Sequence, residues 1–171
     1  MTCYVALLRA VNVGGTGKLP MSELTAMCEA EGFARARTYI ASGNVVFVSE
    51  QDEAQVQAAL ARRLAAYAGK PVGVLVRTAD EMAAVLAANP FPDAPRNRTV
   101  AIFLDDPPPR DAVANARHRS SELIALGSRE IYVAYPQGMA SSKLVLPAAA
   151  AGTARNMNTI AKLAELAQAI A

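Results

Sequence analysis

The 171-residue chain has no tryptophan, four phenylalanines and five tyrosines. So few rings argue against a surface that reads nucleic acid by stacking bases on paired aromatics. There is one histidine, His118, and two cysteines, Cys3 and Cys28, far apart and forming no CxxC. That inventory makes a Cys/His zinc site improbable and argues against a disulfide framework, leaving two reduced, packed thiols as the natural expectation. Long apolar runs are also missing. The amino-terminal run is interrupted at Arg9, too early for a membrane span or a signal peptide, so a cytoplasmic, non-membrane protein is expected. The net charge of +2 is too small to imply nucleic acid by itself, because phosphate binding needs a local basic surface, so nucleic acid is not the expected partner but stays open.

What the chain does have is a globular composition, 53% hydrophobic and 19% charged, with much of the apolar share in alanine. Its length fits one domain or two small halves sharing a core, and one compact unit is expected. Tyr4 to Val11 reads as a buried strand, and Asn12 to Pro20 as a glycine-rich loop. A helix over about Met21 to Glu31 follows, stopped at Gly32. Arg37 to Ile40 and Val45 to Val48 flank Ala-Ser-Gly-Asn as a hairpin. Val56, Leu60, Leu64 and Tyr67 mark a second helix, capped by Ser49 or Asp52 and ended at Gly69, before a strand over Val72 to Arg77.

This order, βαββαβ, is the ferredoxin-like arrangement. Thr78 and Glu81 then form a capping box for a third helix that halts at Asn89-Pro90. Residues 89–98 mark the best boundary, giving a first half over 1–90 and a second over 91–171. In the second half a strand is expected at Thr99 to Leu104, a helix near Arg110 to Arg119 and a hairpin over Leu123 to Tyr135. A short helix at Ser141 to Leu146, a break over Pro147 to Gly152 and a last helix over Asn158 to Ile170 complete the reading. The fold class expected is α+β, built from two related ferredoxin-like halves whose mainly antiparallel sheets are covered by helices.

The segments Leu8-Arg9-Ala10-Val11-Asn12-Val13-Gly14-Gly15, Lys18-Leu19-Pro20-Met21, Tyr39-Ile40-Ala41-Ser42-Gly43-Asn44-Val45-Val46-Phe47 and Thr153-Ala154-Arg155-Asn156-Met157-Asn158-Thr159 resemble the bacterial family called "domain of unknown function 1697". The resemblance spans essentially the whole chain. It implies an α+β fold of two related halves in a bacterial, non-secreted protein, and brings no activity with it. The family pattern often has tryptophan where this chain has Met157 and glutamine where it has Ala41. A ligand contacted there in relatives would be met differently here.

The loop from Asn12 to Lys18 joins a strand to a helix, the setting in which backbone N–H groups and a helix N-terminus hold anions. It is not a P-loop, because Asn12 stands where the first glycine is needed and Leu19 follows Lys18. It is not a dinucleotide fingerprint either, because Pro20 stands where the third glycine belongs. Two readings remain open: a plain connection that uses glycine for positive φ, and an anion site.

The candidate ligand-binding residues are Arg9, Asn12, Gly14, Gly15 and Lys18, joined by Ser42 and Asn44 of the turn and by Arg155, Asn156 and Asn158 before the last helix. A tight turn and helix capping are the structural alternatives for the latter two groups. His118 is expected in a solvated helix end. Neither a catalytic group nor a cofactor is indicated. The leading functional expectation is a binding module for a small anionic ligand, phosphate or nucleotide-like. The alternatives are an enzyme acting on such a ligand, a structural or interaction protein, monomeric or homodimeric, and an RNA-binding sheet that would use Tyr39 and Phe47 on neighbouring strands, although Phe47 is expected in the core.

Overall fold

The computed structural model describes residues 1–11 and 18–171. The elements run β1 (Thr2–Leu8), α1 (Met21–Ala30), β2 (Ala34–Thr38), β3 (Asn44–Ser49), α2 (Glu53–Ala68), β4 (Val74–Thr78), α3 (Ala79–Ala87), β5 (Thr99–Phe103), β6 (Leu123–Leu126), β7 (Glu130–Ala134), β8 (Thr153–Asn156) and α4 (Met157–Ile170). They divide into a first unit, Met1–Ala83 with Lys162–Ala171, and a second, Ala84–Ala161.

The first unit carries an antiparallel sheet in the order β2-β3-β1-β4. β1 is central, so its backbone is paired on both edges, and its side chains from Cys3 to Leu8 are all buried. Tyr4, Ala6 and Leu8 share one face with Val45, Phe47, Val74 and Val76, and the apolar stripes of α1 and α2 join them in a single core. Phe47 stacks on Phe33 with ring centroids 4.6 Å apart. That burial leaves no ring face of Phe47 for a base.

The helices begin and end where local chemistry dictates. Asp52 caps α2 by accepting from Gln55 N at 2.8 Å, while the Gln55 side chain accepts from Asp52 N at 3.0 Å. Gly69 closes it in the left-handed conformation, φ 73°. At the end of α1, Phe33 N returns to Cys28 O and Gly32 N to Glu29 O. Burial, and secondarily the charge of Glu29, pushes the wholly buried Cys28 thiol up to about 12.

The second unit repeats the plan in the order β6-β7-β5-β8. The repetition extends to register. Leu7 faces Asn44 on β3 as Phe103 faces Glu130 on β7, and each facing residue is a buried polar group. One residue on, Leu8 N donates to Gly43 O at 2.8 Å and Leu104 N to Arg129 O at 2.9 Å. Thr78 lies opposite Tyr4 and caps α3, reciprocally with Glu81, while Asn156 lies opposite Val100 and caps α4 by accepting from Thr159 N.

Where the first unit has α1 and α2, the second has irregular chain. The helix expected at Arg110 to Arg119 is a set of turns, and Arg117 instead exchanges two backbone bonds with Val145. Alanines at 112, 114 and 116 supply too little apolar area to hold an isolated helix, and the pairing draws the chain out. Ser141 to Leu146 is not helical either. Leu144 and Leu146 pack on the second core while Val145 points outward, an extended alternation. The cap expected before the last helix is supplied by Asn156, and Thr153–Asn156 also forms strand β8. Its polar Thr-Ala-Arg-Asn sequence lacks the usual strand signature because it pairs on one side only.

Three outcomes are expected from these contacts. A Cβ at Gly43, φ +94°, would lie 2.5 Å from Val11 Cγ2 and 2.8 Å from Leu8 Cβ. Gly43→Ala should therefore cost roughly 2–4 kcal/mol by urea denaturation, against about 1 kcal/mol for Gly69→Ala, which meets nothing. Loss of the cap in Asp52→Ala should cost about 1 kcal/mol. The Cys28 thiol should resist alkylation in the native protein at pH 8 and react only on unfolding, as mass spectrometry of the labelled peptide would report.

Candidate functional site

β1 is the middle strand of its sheet, so the chain leaving it is hemmed in by the turns of both neighbours. Leu8 N is bound to Gly43 O, and Arg9 N to Gly73 O at 2.9 Å. A Cβ at Gly73 would touch the Arg9 stem at 3.1 Å, so the arginine's methylenes lie along that glycine while the residue stays exposed. Ala10 follows in the left-handed region, φ 55°. Among the described residues no carboxylate is paired with Arg9 or Lys18.

The 42–44 turn therefore adjoins the end of β1, an arrangement that sequence alone left open. Asn44 is wholly buried, and its Nδ2 donates to Tyr39 O at 2.9 Å and to Ser42 Oγ at 3.1 Å. It braces the turn. Ser42 is half-buried, and Ala41 and Ile40 are exposed, Ile40 with φ 52°. For a β-branched side chain that conformation is strained. Lys18 is exposed, and α1 begins after Pro20 without a side-chain cap, with Glu23 in its first turn. Asn12, Gly14 and Gly15 lie outside the described residues.

Arg155, Asn156 and Asn158 belong to the second unit. Arg155 is half-buried on β8, and one guanidinium nitrogen donates to Ala154 O at 2.9 Å. Burial lowers its pKa to about 10, which leaves it cationic at neutral pH. The Asn156 side chain is the α4 cap, and Asn158 is exposed. Met157 is fully buried at the start of α4, so the residue at that position serves the core.

Two features escaped sequence reasoning. Arg77 on β4 is 1% exposed, with NH1 donating to Val76 O at 3.0 Å. An arginine inside an otherwise apolar strand was its only signal. The second unit also contains an open cleft of about 460 Å³, lined by His118, Glu122, Tyr135, Gln137, Ser142 and Lys143 among others. His118 is no helix end; it lies in the irregular segment with φ 55°. Among the described residues no cluster of three His, Cys, Asp or Glu is placed to hold a metal, and no helix is long and apolar enough to cross a membrane.

The fold has a solved counterpart, a conserved bacterial protein, SP0830, from Streptococcus pneumoniae. The two share 22% identity with a TM-score of 0.78, over 97% of this chain and 98% of the other. No curated protein matches the chain. The family model for proteins of unknown function DUF1697 matches residues 1–132, and the chain belongs to that family.

Proposed function

We propose that this protein is a binding module for a small anionic ligand, phosphate or nucleotide-like, taken up where β1 leaves its sheet. One observation carries the reading. Arg9 is fixed at its backbone by Gly73, beside the turn held by Leu8 N and Gly43 O, yet its side chain stays exposed and unpaired with any described carboxylate. An arginine positioned in this way presents a planar set of donors suited to an oxyanion.

Lys18 supports the reading as a second exposed cation, just ahead of a helix whose first turn lacks a side-chain cap. Ser42 and Asn44 fit as the brace that keeps the adjoining turn in place.

Thermal denaturation with inorganic phosphate, AMP and ATP at low ionic strength tests the proposal. At least one should raise Tm, and the rise should vanish in Arg9→Ala and shrink in Lys18→Ala. A rise that both variants retain, or no rise with any of the three, would overturn it.

A further inference from the structure

The cleft of the second unit is built from two irregular segments tied at both ends. At one end Arg117 and Val145 exchange backbone bonds of 2.8 and 2.9 Å. At the other the Glu122 carboxylate accepts from Ser142 Oγ at 2.6 Å and from Ser120 N. Glu122 itself is 5% exposed. The Ser142 bond and then the Ser120 amide hold its carboxyl below the usual carboxylate range, so the lining of the cleft includes a negative charge at neutral pH.

The remaining groups define what fits. Ser141 Oγ donates to Gln137 O at 2.8 Å, and Ser142 Oγ donates to Glu122 while accepting from Leu144 N. Both hydroxyl protons are spent within the protein, which leaves Ser141 Oγ as an acceptor toward the cleft. Burial, and then the Glu122 charge, raises the Tyr135 phenol, so it stays a donor, and its half-buried ring adds an apolar plate. Lys143 and the Gln137 side chain add donors at the exposed rim.

Charge decides between ligand classes. An anion would have to sit against ionised Glu122, whose charge the neighbouring Arg119 offsets only in part, and a cation would meet both Arg119 and Lys143. A neutral ligand whose hydroxyls both give and accept hydrogen bonds satisfies each group without opposing either. We propose that this cleft is a binding site for a neutral polyhydroxylated ligand of monosaccharide size, with a ring face against Tyr135 and hydroxyls shared between Glu122 and Lys143. The volume of about 460 Å³ lies within the range of small-ligand sites, roughly 300–1,000 Å³.

The site is distinct from the anion site at β1, and its test is independent of it. Amide chemical shifts of the full chain would be followed on titration with D-glucose, D-galactose and D-ribose, with inorganic phosphate as comparator. The expected result is a saturable shift, with at least one sugar, of amides in residues 120–122 and 141–143, unchanged in Arg9→Ala. Lys143→Ala and Tyr135→Phe, which disturb no buried charge, should each weaken it about three- to tenfold. Glu122→Gln should weaken it further. No saturable shift with any sugar would overturn the proposal. So would a shift that both Lys143→Ala and Tyr135→Phe leave unaltered, or one produced at those amides by phosphate in place of the sugars.

Discussion

The rest of the structure depends on a central strand paired antiparallel on both edges. With β3 on one side and β4 on the other, β1 has no free backbone edge, and the chain leaving it passes between the turns of both neighbours. Side chains beyond hydrogen do not fit everywhere in that passage. Gly43 lies against Leu8 and Val11, and Gly73 lies against Arg9. The second unit meets the same constraint with Gly152, where a Cβ would fall 2.6 Å from Ile102 Cγ2. Exchange of the paired strands for a looser arrangement would remove the reason for these glycines, and with it the fixed exit of Arg9.

From that common frame the two units diverge. Helices α1 and α2 close the first core. In the second unit the segments between β5 and β6 and between β7 and β8 stay irregular, and the cleft lies between parts of them. Backbone polar groups of irregular chain that find no backbone partner can be satisfied by side chains. Glu122 does this for the Ser120 amide, and the same carboxylate gives the cleft its charge.

Much of this was legible in the sequence where patterns were local and strong. Apolar runs identified β1 and β3, Ser49 or Asp52 as a cap marked the start of α2, and the Thr78/Glu81 capping box marked that of α3. The second half was less legible because its segments are stabilised by pairing between distant residues. Nothing in Arg110 to Arg119 announces a bridge from Arg117 to Val145, and alanine-rich turns resemble a helix in composition. The Leu144/Leu146 alternation was a usable signal for extended chain. At the candidate site, adjacency of the 42–44 turn to β1 depended on the β1–β3 register, which places Leu7 opposite Asn44 and lets Leu8 N reach Gly43 O. Burial of Asn44 had no sequence signal beyond its place in a turn.

The central claim is that the exit of β1 receives an anion through Arg9. A titration of isotopically labelled protein with inorganic phosphate, read at the Arg9 Nε–H resonance and at the amides of residues 8–11 and 42–44, addresses it most directly. The account predicts a saturable downfield shift of Arg9 Nε–H accompanied by shifts of those amides. An Arg9 Nε–H resonance that stays in place while the protein remains folded would contradict it.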